Sequence, residues 1–225
     1  MKCVFALSAL LASAALGDTV QFQSLPINTQ YGTYNGFVVA TVNGVDIRMV
    51  CDDYDHTTYV PSGPLGFQLS MLTGPEPLQY ARFVNPVDWD RSVSEYRQAA
   101  YLVSGMAQQT PGSPKDVTAD YQYALWSLFT PSTPLPSSTA KILLDQSAAA
   151  VSGGQIDPLL YSRLRIYTPV QPYQGNQEFL ALADPLASGG QQVPEPSTPI
   201  LFACGAALIA LSGLLHRRLR RDRGA

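Results

Sequence analysis

The sequence predicts an α+β fold: a β-hairpin and β-sandwich-like domain with an inserted helical part, preceded by a signal peptide and followed by one transmembrane helix. Two patterns predict the class of the domain. Runs of β-branched and apolar residues at both of its ends are typical of strands. Its middle has apolar residues at helical spacing, between capping and breaking residues. Apolar runs at the two chain ends predict the flanking segments.

The first seventeen residues have the features of a secretory signal. Lys2 supplies the positive start, and residues 4–16 form an apolar stretch too short to span a membrane comfortably. We place cleavage after Gly17, where the residues are small, with cleavage after Ala14 as the alternative. Cys3 would leave with this segment.

The exported domain, residues 18–183, contains one strong hairpin pattern. The runs at 37–42 and 45–50 are apolar and β-branched, and they flank Asn43-Gly44. That dipeptide favours the type I′ turn of a tight hairpin. Cys51 follows directly at the exit of the second strand.

The next part of the domain is predicted to change from loops to a helix. Residues 52–86 are rich in Pro and Gly, which predicts loops with short strands around 67–72. Ser92 and Glu95 have the spacing of a capping box, which predicts a helix running to about Gly105.

A second helix is predicted after a break at residues 111–114. Its cap is Asp116 or Thr118, and it ends before Pro131. Gln122 and Trp126 are four residues apart, so they share one face of this helix.

The remainder of the domain is predicted to hold one more helix and two strands, followed by a spacer of small residues. These segments are a helix at about 138–151, strands at 163–168 and 178–183, and a linker at 184–192.

Charge and cysteine content limit the function. Residues 18–199 carry 8 Lys and Arg against 16 Asp and Glu, a net charge of −8, which argues against nucleic acid and anionic membrane surfaces as partners. Cys3 lies in the signal and Cys204 in the C-terminal apolar run, so Cys51 is the one thiol of the exported domain. A lone exported cysteine is a pairing point between chains, a reactive group or a small buried hydrophobe.

The C-terminal 33 residues form three blocks. Charge is costly to move across hydrocarbon, so the last block stays in the cytoplasm and the domain lies outside. The first block is a motif of Val193, Pro194, Glu195, Pro196 and Ser197, and the second is an apolar span at 199–215. The third is an Arg-rich end at 216–223, in which the membrane stop is formed by Arg217, Arg218, Arg220 and Arg221.

This tail resembles the PEP-CTERM sorting signal of Gram-negative bacteria that make extracellular polysaccharide. The resemblance implies cleavage near the Pro194–Pro196 stretch by an exosortase-type membrane transpeptidase. It also implies transit through the inner membrane to the cell surface or to the extracellular matrix of a biofilm. A plain tail anchor is the alternative.

Cys51 and Gln122 suggest a specific chemistry. A thiolate held against a side-chain amide can displace ammonia and leave an internal thioester. The reaction requires fixed geometry and exclusion of water, and it uses no cofactor. The product can then capture an amine or a hydroxyl from a partner, which gives a use for an unpaired exported cysteine.

The same residues resemble the thioester domains of bacterial surface adhesins, over about residues 31–129. The resemblance implies a Cys51–Gln122 bond, with Trp126 as a packing residue. The matching motifs are Val50-Cys51-Asp52-Asp53 and Tyr121-Gln122-Tyr123-Ala124-Leu125-Trp126. Val50 and Asp52 depart from the family, which has an aromatic residue or Leu and a hydrophobic residue there. An acid at position 52 is expected to raise the pKa of the thiol.

Other chemistries fit the sequence less well. Residues 52–56 lack the Gly and the terminal Glu of a calcium loop, and His56 alone gives no transition-metal set, so we predict no metal site. A Cys51–His56 hydrolase lacks an identifiable oxyanion group. We therefore expect an exported, single-use attachment domain rather than a turnover enzyme, with an unknown surface or matrix target. The alternative is a non-covalent structural or extracellular-matrix protein in which Cys51 is inert and buried.

Overall fold

The computed structural model describes residues 17–25, 30–32, 35–110 and 117–183. The strands and helices within them are β1 (Asp18–Ser24), β2 (Val38–Val42), β3 (Val45–Cys51), β4 (Leu65–Met71), α1 (Trp89–Ala107), α2 (Thr118–Phe129), α3 (Ser138–Ser152), α4 (Pro158–Arg163), β5 (Leu164–Pro169) and β6 (Phe179–Leu182). The predicted signal, sorting motif, span and Arg-rich end lie outside the described residues. No helix within the described ranges has the length and apolar character needed to cross a membrane.

The strands form a closed antiparallel barrel in the order β1-β2-β3-β6-β5-β4, and the four helices are inserted between β4 and β5. The predicted α+β class is confirmed. The sandwich-like form of the prediction is wrong, because β4 also pairs with β1, with Leu65 opposite Val20. The sheet therefore closes on itself instead of packing against a second sheet.

The predicted hairpin is confirmed and forms the β2–β3 part of the barrel wall. Asn43 and Gly44 have φ angles of 49° and 87°, the pair of positive values that a type I′ turn requires. Val38 pairs with Met49 at the opposite end of this ladder. The turn fixes that register, so it also fixes which residues face each other where the hairpin opens.

Two apolar clusters hold the domain together. Phe22, Phe67 and Phe179 meet inside the barrel, with ring centroids 4.5–6.4 Å apart. Tyr96 of α1 is fully buried in a second cluster, which joins the helices to the outer side of the barrel. Burial of each such side chain contributes about 1.5–3 kcal/mol. Tyr96, Ala99, Ala100 and Val103 lie on one face of α1 at helical spacing, and all four are buried.

The capping prediction for α1 is wrong. Asp88 caps the helix four residues earlier than expected, and its side chain accepts a hydrogen bond from Arg91 N at 3.3 Å. Ser92 lies inside the first turn, where its hydroxyl accepts from Asn85 N at 2.9 Å. Glu95 accepts a hydrogen bond from Arg91 Nε rather than closing a box.

The cap of α2 also differs from the prediction. Thr118 is the first helical residue, and Val117 occupies the capping position without a side-chain hydrogen bond. Asp116, the other predicted cap, lies outside the described residues. The end of the helix at Phe129 agrees with the expected end before Pro131.

Two elements were absent from the sequence prediction. β1 carries a short alternation in which Val20 and Phe22 face the barrel interior. α4 begins with Asp157 as cap and Pro158 in its first turn, a recognisable start signal on a helix of only six residues.

We expect Gly44→Ala to lower the free energy of unfolding by about 1–2 kcal/mol, because a Cβ disfavours the left-handed backbone conformation at this turn. A Cβ at Gly44 would meet no atom within 4 Å, so the effect isolates backbone strain. The matched control is Gly63→Ala, which is equally free of contacts and has no positive φ. Urea denaturation of both variants measures the difference, and equal stabilities would contradict the turn assignment.

Candidate functional site

The open end of the β2–β3 hairpin is bridged by a side chain of α2. The paired ladder ends at Val38 and Met49, and Gly36 and Cys51 each lie two residues beyond that pair along the chain. Gly36 N donates to Gln122 Oε1 at 3.2 Å, and Gln122 Nε2 donates to Cys51 O at 2.6 Å. The amide of Gln122 thus lies between the two strand ends in the place of a backbone pairing.

Gln122 is held in one orientation. Its side chain is 1% exposed, and an unpaired amide at that depth would cost about 1–3 kcal/mol. The amide oxygen and nitrogen each have a backbone partner, and the two partners come from different segments. The amide therefore cannot turn over without losing both bonds, and it stays against the strand end that carries Cys51.

The Cys51 thiol is free and partly buried. Its S–H donates to Asp53 O at 3.0 Å, and Asp53 N donates to its sulfur at 3.3 Å. The Asp53 carboxylate is anchored in turn by the Arg82 guanidinium and lies 2.9 Å from His56 Nδ1. Two hydrogen bonds to the Asp53 backbone therefore hold the Cys51 sulfur, and the Asp53 carboxylate is itself held by Arg82.

Aromatic rings line this side of the molecule. Tyr123, Trp126 and Ala140 form a small buried cluster against which the Cys51 side chain packs. The Trp126 ring meets Tyr123 and Tyr54 edge to face, with centroids 5.1 and 5.2 Å apart. These rings cover part of the thiol, and the Gln122 amide beside it is buried, which limits the access of water that acyl transfer must exclude.

The pKa of the Cys51 thiol is raised well above its ordinary value, chiefly by burial and next by the charge of Asp52. The Trp126 indole works in the opposite direction and lowers this pKa. Its Nε1–H is buried and makes no regular hydrogen bond within the described part of the chain, so it can polarise the sulfur. Asp53 has a mixed effect, since its backbone lowers the pKa and its charge raises it.

A buried pair of carboxyl groups lies behind the cysteine. Asp52 N donates to Glu178 O at 3.4 Å, which places the two residues opposite each other, and both side chains are completely buried. Glu178 accepts hydrogen bonds from Tyr96 Oη at 2.6 Å, from Arg82 N at 2.7 Å and from the Thr168 hydroxyl. Within the described residues, neither carboxyl oxygen of Asp52 accepts one.

Burial raises the pKa of both carboxyl groups, and the effect is strong for Asp52, where Glu178 adds to it. The hydrogen bonds received by Glu178 partly oppose the rise in its own pKa. We therefore expect the pair to carry one negative charge instead of two, with the proton on Asp52.

The structure brings together four of the sequence-predicted residues and separates a fifth. Cys51, Gln122, Trp126 and Asp53 meet at the hairpin end. Tyr121 does not join them, because its ring lies over Gly105 of α1, where a Cβ would come within 2.6 Å of it. The sorting residues Val193–Ser197 and the arginines of the membrane stop lie outside the described residues.

Three residues of the site were missed from the sequence. Gly36 follows Asn35 in a turn-like dipeptide just before a strand, and its φ of 101° marks such a turn. Glu178 is an acid at the start of an otherwise apolar strand, a pattern that could have indicated a buried carboxyl. Tyr123 is one of several tyrosines in its segment, and no local signal distinguishes it.

His56 and the acidic residues beside it are the residues that metal or hydrolase chemistry would use. No group of three or more His, Cys, Asp or Glu side chains among the described residues is placed to hold a metal ion. The Nδ1 atom of His56 is engaged by Asp53. What the site does hold is a thiol, an immobilised amide and a backbone N–H on the amide oxygen.

No protein-family model matches the sequence, and no curated protein matches it. Among solved structures, the chain is similar to an N-terminal thioester domain of a surface protein from Clostridium perfringens. The TM-score is 0.46 and the sequence identity is 12%, and the match covers 73% of this chain and 97% of that one. It is also similar to the N-terminal domain of a pilus tip adhesin of Streptococcus pyogenes, with a TM-score of 0.45, 10% identity, and coverage of 74% and 93%.

We expect Asp52→Asn to become more stabilising as the pH rises. The folded-state pKa of Asp52 is raised above its ordinary 3.8, so its contribution to stability is complete below that pH and is lost as the pH rises through the folded-state pKa. Asparagine keeps the shape of the neutral acid and cannot ionise.

Urea denaturation at pH 4 and at pH 8 measures this difference in the free energy of unfolding between variant and wild type. Asp145→Asn, on the surface of α3, controls for the general loss of a carboxylate. A difference for Asp52→Asn that is the same at both pH values would contradict the assignment of the proton.

Proposed function

We propose that Cys51 and Gln122 form an internal thioester, and that the protein uses it to attach covalently to a surface or matrix target. One observation carries the proposal: the Gln122 amide is immobilised between Gly36 N and Cys51 O, at the strand end that carries the thiol. Effective molarities in such fixed geometries can supply about 7–11 kcal/mol of the barrier.

The bond forms by acyl transfer with a balanced exchange of groups. The Cys51 sulfur attacks Gln122 Cδ, and negative charge develops on Oε1, where Gly36 N–H already donates. The Cδ–Nε2 bond then breaks, and nitrogen leaves as ammonia with the proton that the thiol gives up. No oxidant, metal or cofactor enters the balance.

The product is an acyl group that is activated toward nucleophiles. An amine or a hydroxyl of the target attacks the thioester carbonyl, forms an amide or an ester with the Gln122 side chain, and releases the Cys51 thiol. Each molecule reacts once in this way, so the protein is an adhesive or attachment domain and not a turnover enzyme.

The raised pKa of Cys51 favours the competing function, a non-covalent matrix protein with an inert thiol. A thiol that stays protonated is a poor nucleophile. The Trp126 indole, the clamp at Asp53 and the immobilised amide weigh toward the thioester.

The location that we propose follows from the sequence at the two chain ends. The signal exports the domain, and the Val193–Ser197 motif is recognised by an exosortase-type membrane transpeptidase while the apolar span halts in the inner membrane. The protein then reaches the cell surface or the matrix of a Gram-negative cell. Covalent capture there would tether the domain to whatever target lies beside it.

For the thioester, we expect the purified full chain to have a mass about 17 Da below the value from its composition, because ammonia has been lost. Methylamine should open the bond and raise the mass. Intact-mass spectrometry before and after methylamine treatment makes the measurement.

The matched variants are Gln122→Ala and Gln108→Ala. The first removes the reacting amide and should abolish the deficit, whereas Gln108 lies exposed at the end of α1 and its substitution should leave the deficit intact. A wild-type chain of full mass, with Cys51 readily alkylated in the native state, would rule out the thioester.

For sorting, we expect replacement of Glu195 together with Arg217, Arg218, Arg220 and Arg221 to leave the protein in the inner membrane. The motif for cleavage and the charge that sets orientation would both be lost. Cell fractionation with immunoblotting follows the outcome. Unchanged release to the surface would contradict the sorting proposal.

A further inference from the structure

We propose that Asp52 is a positioning residue for the Cys51–Gln122 reaction: by keeping its own proton beside a charged Glu178, it keeps negative charge away from the sulfur and thereby sets the pH range in which the bond forms. The inference rests on the proposed thioester. It concerns a residue that the reaction itself does not consume.

The Asp52 and Glu178 carboxyl groups form a buried pair next to Cys51. Asp52 and Glu178 face each other across neighbouring segments, directly beyond the Cys51–Phe179 pair of β3 and β6. Two charged carboxylates in that position, with no solvent, would repel each other strongly. One of them must hold a proton for the barrel to close here.

The hydrogen-bond donors decide which carboxyl is charged. Every donor in the pocket points at Glu178: Tyr96 Oη from α1, Arg82 N from the segment before α1, and the Thr168 hydroxyl from β5. The Arg82 guanidinium is committed to Asp53. Neither carboxyl oxygen of Asp52 has a hydrogen-bond partner in the described part of the chain, so Glu178 is the better site for the charge and Asp52 for the proton.

The location of the charge matters because Asp52 is the immediate neighbour of the nucleophile. After burial, charge on Asp52 is the largest cause that raises the pKa of the Cys51 thiol, and it exceeds the effect of the charge on Asp53. While Asp52 is neutral, this part of the rise is absent. Once Asp52 ionises, the thiolate becomes rarer and attack on Gln122 slows.

Two isosteric substitutions separate the location of the charge from its amount. Asp52→Asn leaves the single charge on Glu178, away from the sulfur. Glu178→Gln leaves Asp52 as the one remaining acid of the pair, so any charge that the pair carries lies next to the sulfur. Each variant replaces one carboxyl by an amide of the same shape, yet the inference predicts opposite effects on the thiol.

The readout is the pH profile of Cys51 alkylation by iodoacetamide, measured on the full chain in a Gln122→Ala background where no thioester can form. At pH 7.5 we expect alkylation about tenfold slower in Glu178→Gln than in Asp52→Asn, since one pKa unit is tenfold in thiolate fraction. Asp52→Ala should match Asp52→Asn. Coincident profiles for Glu178→Gln and Asp52→Asn would overturn the inference.

If Glu178→Gln does not fold, the comparison of Asp52→Asn with the parent Gln122→Ala chain decides. The parent should show a second inflection as Asp52 ionises, and Asp52→Asn should show one inflection only. Identical curves would again overturn the inference.

Formation of the bond is followed separately in the Gln122-containing chain, by the rate at which the mass deficit appears after refolding. At pH 9 we expect Asp52→Asn to form the bond faster than wild type. A chain that shows no deficit at any pH defeats the proposed function, whereas the alkylation profiles still judge the role of Asp52.

Discussion

The bridge made by the Gln122 amide across the open end of the β2–β3 hairpin is the interaction on which the site depends. It joins the helical insertion to the barrel at the point where the strands separate, through Gly36 N and Cys51 O. Because both partners are backbone atoms, the orientation of the amide follows from the register of the hairpin, which the Asn43-Gly44 turn fixes at the other end. The fold thus delivers an amide to a thiol through two backbone partners of the amide.

Around this bridge the molecule buries an unusual set of polar groups. Asp52, Asp53, Glu178 and Gln122 are all inaccessible, and each needs a compensating partner or a proton. Arg82 serves two of these acids, with its guanidinium on Asp53 and its backbone N–H on Glu178. Such a network gains little stability over apolar packing, and removal of one member is costly. The network holds the segment after Cys51 in one conformation.

The sequence predicts the local features of this arrangement and misses those that depend on the barrel. The hairpin follows from Asn43-Gly44 and its flanking strands, and the shared face of Gln122 and Trp126 follows from helical spacing. Glu178 could not be assigned, since its partner Asp52 is 126 residues away in the chain and only strand pairing brings them together. The prediction of the α1 cap was wrong because Asp88 and Ser92 are both suitable start signals. In the structure Asp88 accepts from Arg91 N as the cap, whereas Ser92 lies inside the helix and accepts from Asn85 N.

The central claim is a covalent bond between two residues 71 positions apart. High-resolution electron density at the hairpin end tests it most directly. We predict continuous density from Cys51 Sγ to Gln122 Cδ, with Oε1 still against Gly36 N and no density for Nε2. An intact amide that still donates to Cys51 O, beside a separate thiol, would contradict the account.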